Sequence, residues 1–122
     1  MIQGYFGEKG ELFFEIELIG DDGSVVTVNA LLDTGFTDWL AMDIQDAESL
    51  GWTFIRQLEM RIARGNALFN LYVGSVLFDG QEFTIPVLGG REIPEFLIGL
   101  PWLENWRLVV DRKAGLLTLG ED

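Results

Sequence analysis

The chain has 122 residues, enough for one domain with a sizeable core; 48% are hydrophobic, and Gly 15 with Pro 3 suits a turn-rich globular β protein. It contains no histidine and no cysteine, which excludes Ser-His-Asp triads, Cys-His dyads, disulfides and ordinary zinc sites. Acid–base chemistry is left to carboxylates, two lysines or tyrosines, and carboxylates are by far the most numerous.

Twenty acidic against eight basic residues give a net charge of −12. That disfavours nucleic-acid binding, which needs Lys and Arg to displace counterions from phosphates. Such a field can steer a basic substrate, although most of these charges read as solvated surface. No apolar run approaches the roughly 20 residues that span a bilayer. Met1-Ile2-Gln3-Gly4-Tyr5 shows no basic segment leading into an apolar one, so no leader, no membrane partner and a cytoplasmic location are expected.

The elements read as one domain over 1–122. Residues 11–19 alternate as a strand, with Phe14, Ile16 and Leu18 on one face and Glu15 and Glu17 on the other. Asp21-Asp22-Gly23 turns the chain into a second strand over 24–32, rich in Val, Thr and Leu. This strand runs directly into Asp33-Thr34-Gly35-Phe36. A carboxylate at the end of a buried strand is costly unless donors satisfy it or function uses it. Gly35 lets the backbone double back and the Thr34 hydroxyl can lock the loop, so Asp33 is expected to be rigid and half-desolvated. The same three residues also make an ordinary surface turn; the apolar strand before them and a second motif downstream argue otherwise.

Residues 39–42 read as a buried strand, and Asp43 as the cap of a short helix over 44–50 that ends at Gly51. Residues 57–63 and 67–72 form a hairpin around Arg64-Gly65-Asn66. Residues 73–78 and 83–88 pair around Asp79-Gly80, a strong hairpin signal. The second motif is the apolar strand Phe96-Leu97-Ile98, then Gly99-Leu100 and a short helix opened by Pro101. Residues 107–110 and 116–119 form the last pair.

An apolar-apolar-Asp-Thr-Gly loop and a later apolar-apolar-Gly before a helix resemble the retropepsin-like aspartic peptidases, here in the variant with Phe after the triplet. The resemblance runs roughly from Leu12 to Leu119. It implies a mostly β fold, a closed barrel or sandwich with one or two short helices and a flap hairpin, here the 57–72 pair. It also implies an aspartic endopeptidase without cofactor or metal. Because the chain supplies one Asp-Thr-Gly, the active enzyme would be a homodimer, with Asp33 of each subunit meeting on the twofold axis. Thr34 and Gly35 would support the loop. Phe36, Trp39, Ala63, Arg64, Gly65, Asn66, Ile98 and Leu100 would line the substrate cleft. Core packing is the alternative for Trp39, Ile98 and Leu100, and for Trp39 and Ile98 the two readings weigh about equally.

Two departures from the family pattern stand out. Phe36 replaces the usual small or hydroxylated residue, and the ionic pair often seen in retroviral members is missing, with Thr37 and Leu100 in its places. Dimerisation is expected to use the chain ends: residues 116–119 form an apolar strand whose edges need partners, and residues 1–6 are apolar and aromatic. The alternative is a non-catalytic dimeric module of the same fold that binds extended peptides.

Overall fold

The computed structural model describes residues 1–121; Asp122, the last residue of the expected domain, lies outside the described residues. The strands are β1 (Ile2–Gln3), β2 (Tyr5–Phe6), β3 (Leu12–Ile19), β4 (Val25–Leu32), β5 (Leu40–Asp43), β6 (Thr53–Ile62), β7 (Gly65–Phe78), β8 (Gln81–Gly90), β9 (Phe96–Ile98), β10 (Arg107–Asp111) and β11 (Leu116–Gly120). One α-helix, α1 (Ile44–Ser49), follows β5, and a 3₁₀ helix spans Leu100–Glu104.

Local chemistry accounts for most boundaries. The β3 alternation buries Phe14, Ile16 and Leu18 and leaves Glu15 exposed. At the β7–β8 turn, Asp79 and Gly80 both hold positive φ (53° and 73°). That is the twist a two-residue hairpin needs, and Asp-Gly tolerates it. Asp43 caps α1 by accepting a hydrogen bond from Gln45 N at 2.9 Å, and Gly51 leaves the helix at φ +71°.

Eight strands form one sheet in the order β2-β3-β4-β9-β5-β8-β7-β6. A further pairing, Glu17↔Leu77 to Ile19↔Ser75, joins β3 to β7 and closes six of them into a barrel. Closure removes the open edges that a flat sheet of this length would present. Inside lie Phe14, Ile16, Leu18, Ala30, Leu32, Leu40, Met42, Val76, Val87 and Ile98, all buried. One end is plugged by aromatic rings: Trp102 stacks on Trp106 at 5.5 Å and meets Trp39, Phe78 and Phe83 edge-on at 4.9, 5.0 and 5.1 Å. Its indole N–H donates to the Trp39 carbonyl at 2.9 Å, so the buried polar atom is satisfied.

The β6–β7 hairpin starts at Thr53, four residues before the expected strand, and carries a bulge between Phe54 and Arg56. It turns at Ala63-Arg64 rather than at Arg64-Gly65-Asn66, because Gly65, at φ +118°, already pairs with Ile62. Residues 58–62 and 65–69 pair only with each other, so the hairpin leaves the barrel as a two-stranded arm.

The chain ends find strand partners within the single chain. Both edges of β11 are occupied within the chain, by β1 on one side and β10 on the other. Two contacts hold β1 there. The N-terminal ammonium pairs with Asp79 at 2.7 Å, and Gly4 N donates to the Leu117 carbonyl at 2.8 Å. The outer edges of β1 and β10, not those of β11, are the ones left open.

Candidate active site

On β4 the side chains of Ala30 and Leu32 enter the core, so Leu31 faces the other way. Asp33 follows on the Leu31 face, at the point where the strand ends. Four hydrogen bonds fix its loop. Asp33 N donates to the Ile98 carbonyl at 3.0 Å, and Phe36 N closes the turn on the Asp33 carbonyl at 3.0 Å. Leu100 N donates to the Phe36 carbonyl at 2.9 Å. Gly35 N donates to Asp33 Oδ1 at 2.8 Å, which aims the carboxylate with its own loop and leaves Oδ2 without a partner among the described residues.

The two motifs therefore interlock. β9 lies parallel to β4 in the register Leu31↔Leu97 and Leu32↔Ile98, and β5 pairs with the other edge of β9. Gly99 lies under the Asp33 loop: a Cβ there would stand closer than 3.0 Å to the carbonyl oxygens of both Phe36 and Asp38. Only a residue without a side chain lets the loop settle so closely. Asp33 itself is exposed in the single chain, so the partial desolvation expected from the sequence is absent without a partner.

Beside Asp33 a cavity of about 210 Å³ opens between Leu31, Ile93, Pro94, Glu95 and Leu97. Leu31 and Leu97 are register partners on adjacent strands and form one wall. Ile93 packs with Phe69, at the base of the arm, over Gly90; both side chains would lie within 3.0 Å of a Cβ placed there. Strand, loop and arm thus meet around one depression. A second cavity, about 190 Å³, lies toward α1 among Val26, Val28, Leu50 and Phe96. The alternation of β4 puts Val26 and Val28 on the Leu32 side of the strand, away from Asp33.

A crystal structure of a retropepsin-like aspartic protease from Rickettsia conorii matches 98% of this chain and 88% of that one, with a TM-score of 0.64 and 24% identity. The chain has a retropepsin-like fold. EIAV protease complexed with the inhibitor HBY-793 matches 77% of this chain and 86% of that one, with a TM-score of 0.57 and 18% identity. No protein-family model and no curated protein matches the sequence.

Within this retropepsin-like frame, Thr34 and Gly35 lie exposed at the loop tip. Phe36 is half-buried, with one ring carbon directed at Gly99. Trp39 is half-buried against Trp102, and Leu100 is exposed beyond the loop. Ala63, Arg64, Gly65 and Asn66 are exposed at the end of the arm. Ile98 is a correction: at 0% exposure it is sealed in the core between Leu32 and Leu40, and its side chain cannot wall an open cleft. The residue that lines the neighbouring cavity is Leu97. Sequence reasoning also passed over Leu31, Ile93, Pro94 and Glu95. Alternation could have found the two leucines, since Leu31 lies two residues from Asp33 on the same face.

Proposed function

We propose that the protein is an aspartic endopeptidase that works as a homodimer, each subunit supplying one Asp33. The observation that carries this reading is the Asp33 loop. It sits at the end of a barrel strand, is bonded at both ends to the Ile98–Leu100 segment and rests on Gly99. Its carboxylate is oriented by Gly35 with one oxygen still available. Fold alone does not fix function; the chemistry of this loop is what favours peptide hydrolysis. The similar structures of two proteases, the one from Rickettsia conorii and that of EIAV, support it.

In the dimer two Asp33 carboxylates would share one proton, because like charges so close cannot both ionise. The ionised partner takes a proton from a water molecule as it attacks the scissile carbonyl. The protonated partner donates a hydrogen bond to the carbonyl oxygen and stabilises the charge that develops there; the C–N bond then breaks as the proton taken from water passes to the leaving amine nitrogen. The cavity walled by Leu31 and Leu97 receives a substrate side chain, and the β6–β7 arm covers the bound peptide. A cytoplasmic location belongs to the same proposal and is checked by cell fractionation. No described helix is long and apolar enough to cross a membrane.

The test is Asp33→Asn. Asn keeps an oxygen for the Gly35 N–H, so the turn and fold survive, but the amide cannot act as base. Hydrolysis of a casein-type substrate is expected to vanish while urea unfolding stays within about 0.5 kcal/mol of wild type. Undiminished cleavage by the purified variant would remove Asp33 as the catalyst.

A further inference from the structure

The cavity beside Asp33 has an unusual chemical make-up. Four of its five lining residues, Leu31, Leu97, Ile93 and Pro94, are apolar, and the fifth, Glu95, is the only charged one. Glu95 is exposed at this site and makes no ion pair among the described residues. Arg91, the nearest cation along the chain, makes no ion pair with it. Leu31 brings the cavity to within two residues of Asp33 on the same strand face.

Each class of side chain fares differently here. An acidic one is repelled by Glu95. A wholly apolar one fills the walls but strips water from a carboxylate and offers nothing in return. A short polar one leaves the leucine wall uncovered. Lysine and arginine match both parts, since their methylene stems lie along apolar surface while the charged head stays at the wet rim. The ammonium or guanidinium then meets the carboxylate, bidentately for arginine. The net charge of −12 further concentrates cationic segments around the chain.

We propose that this cavity selects a lysine or arginine side chain of the substrate and that Glu95 is the specificity-determining residue; the proposal rests on the endopeptidase reading above. A partly exposed ion pair sets the scale, a preference of about two- to fivefold over a neutral side chain of equal length.

The experiment uses the full chain and a set of internally quenched peptides carrying lysine, norleucine or glutamate at each position flanking the cleaved bond. At two positions, one on each side of the cleaved bond because the homodimer carries the cavity twice, wild type is expected to favour lysine over norleucine about two- to fivefold in kcat/KM, with glutamate poorest. The preference should shrink as salt is raised. Glu95→Gln should bring the lysine-to-norleucine ratio to about one, and Glu95→Lys should make glutamate the favoured residue. Both substitutions lie at an exposed position whose side chain makes no hydrogen bond among the described residues, so folding is not at stake. The same peptides titrated onto Asp33→Asn protein by fluorescence anisotropy read selection without turnover. Lysine-selective binding with no cleavage by wild type would remove the peptidase reading and keep this one. Cleavage or binding without a lysine preference, no binding of any peptide, or a preference that persists in Glu95→Gln, would overturn it.

Discussion

Gly99→Ala tests whether the two motifs hold each other. The backbone at Gly99 is extended (φ −132°, ψ −163°), so alanine meets no conformational penalty there. The damage comes from the new methyl, closer than 3.0 Å to the carbonyl oxygens of Phe36 and Asp38 and 2.8 Å from a Phe36 ring carbon. Ordinary contact requires the loop to retreat by roughly 1 Å. Backbone cannot swing aside as a side chain can. Overpacking of this kind costs about 1–3 kcal/mol. The Leu100 N–Phe36 O bond of 2.9 Å is stretched in the process, adding about 1 kcal/mol. The sum, about 2–4 kcal/mol, is a large share of a typical domain's stability and lowers Tm by on the order of 10 °C. Thermal and urea unfolding followed by circular dichroism measures it. Gly115→Ala is the control: nothing lies within 4 Å of its added methyl, and only its φ of +69° resists substitution, at about 1–2 kcal/mol. If Gly99→Ala were as stable as wild type, or no less stable than Gly115→Ala, the interlock would be refuted.

Thr34→Ala is expected to weaken dimer assembly more than it slows turnover of the assembled dimer, because Thr34 is exposed at the loop tip; sedimentation across micromolar concentrations, with activity in parallel, measures both. Trp102→Phe removes the hydrogen bond to the Trp39 carbonyl and thins a 3%-exposed aromatic plug; a loss of about 2–4 kcal/mol in urea unfolding is expected. The Asp22 carboxyl is held below its ordinary range first by the Ser24 hydroxyl and then by Ser24 N, at 2.9 Å. A lowered folded-state value means this contribution is complete above the unfolded pKa and lost as pH falls through the folded one. Ser24→Ala should raise the Asp22 titration toward the ordinary carboxylate range by NMR, and an unmoved titration would refute the hydroxyl's role.

Much of the fold was legible because local chemistry and tertiary packing agree. Asp79-Gly80, Asp21-Asp22-Gly23 and the Asp43 cap act through their own backbone, and β3 alternates because one face meets the core. The start of β6 was hidden, since Phe54 and Ile55 are both exposed around a bulge and break the period of two. The fate of the chain ends was hidden for another reason. An apolar strand such as β11 needs partners, but composition does not say whether they come from the same chain. Here β1 supplies one, drawn in by an ammonium–Asp79 pair between residues 78 positions apart.

The site was half legible for the same reason. Asp33, Thr34 and Gly35 identify themselves through turn chemistry, and Gly35 N does bond Asp33 Oδ1. The wall of the cleft does not. Phe96, Leu97 and Ile98 are all apolar, so hydrophobicity cannot say which one enters the core. The pairing decides it. β9 lies between β4 and β5 with Ile98 level with Leu32 and Leu40, both core residues, so Ile98 must join them and Leu97 must face the other side with Leu31. Asp33 shares that side by alternation. A strand register therefore fixes the cavity wall once one buried neighbour is known, and the same step that turns Ile98 into the core brings Leu97 to the cavity. The loop before β9 follows: Ile93, Pro94 and Glu95 close the cavity that Leu97 opens, and so put a single carboxylate beside an otherwise apolar wall.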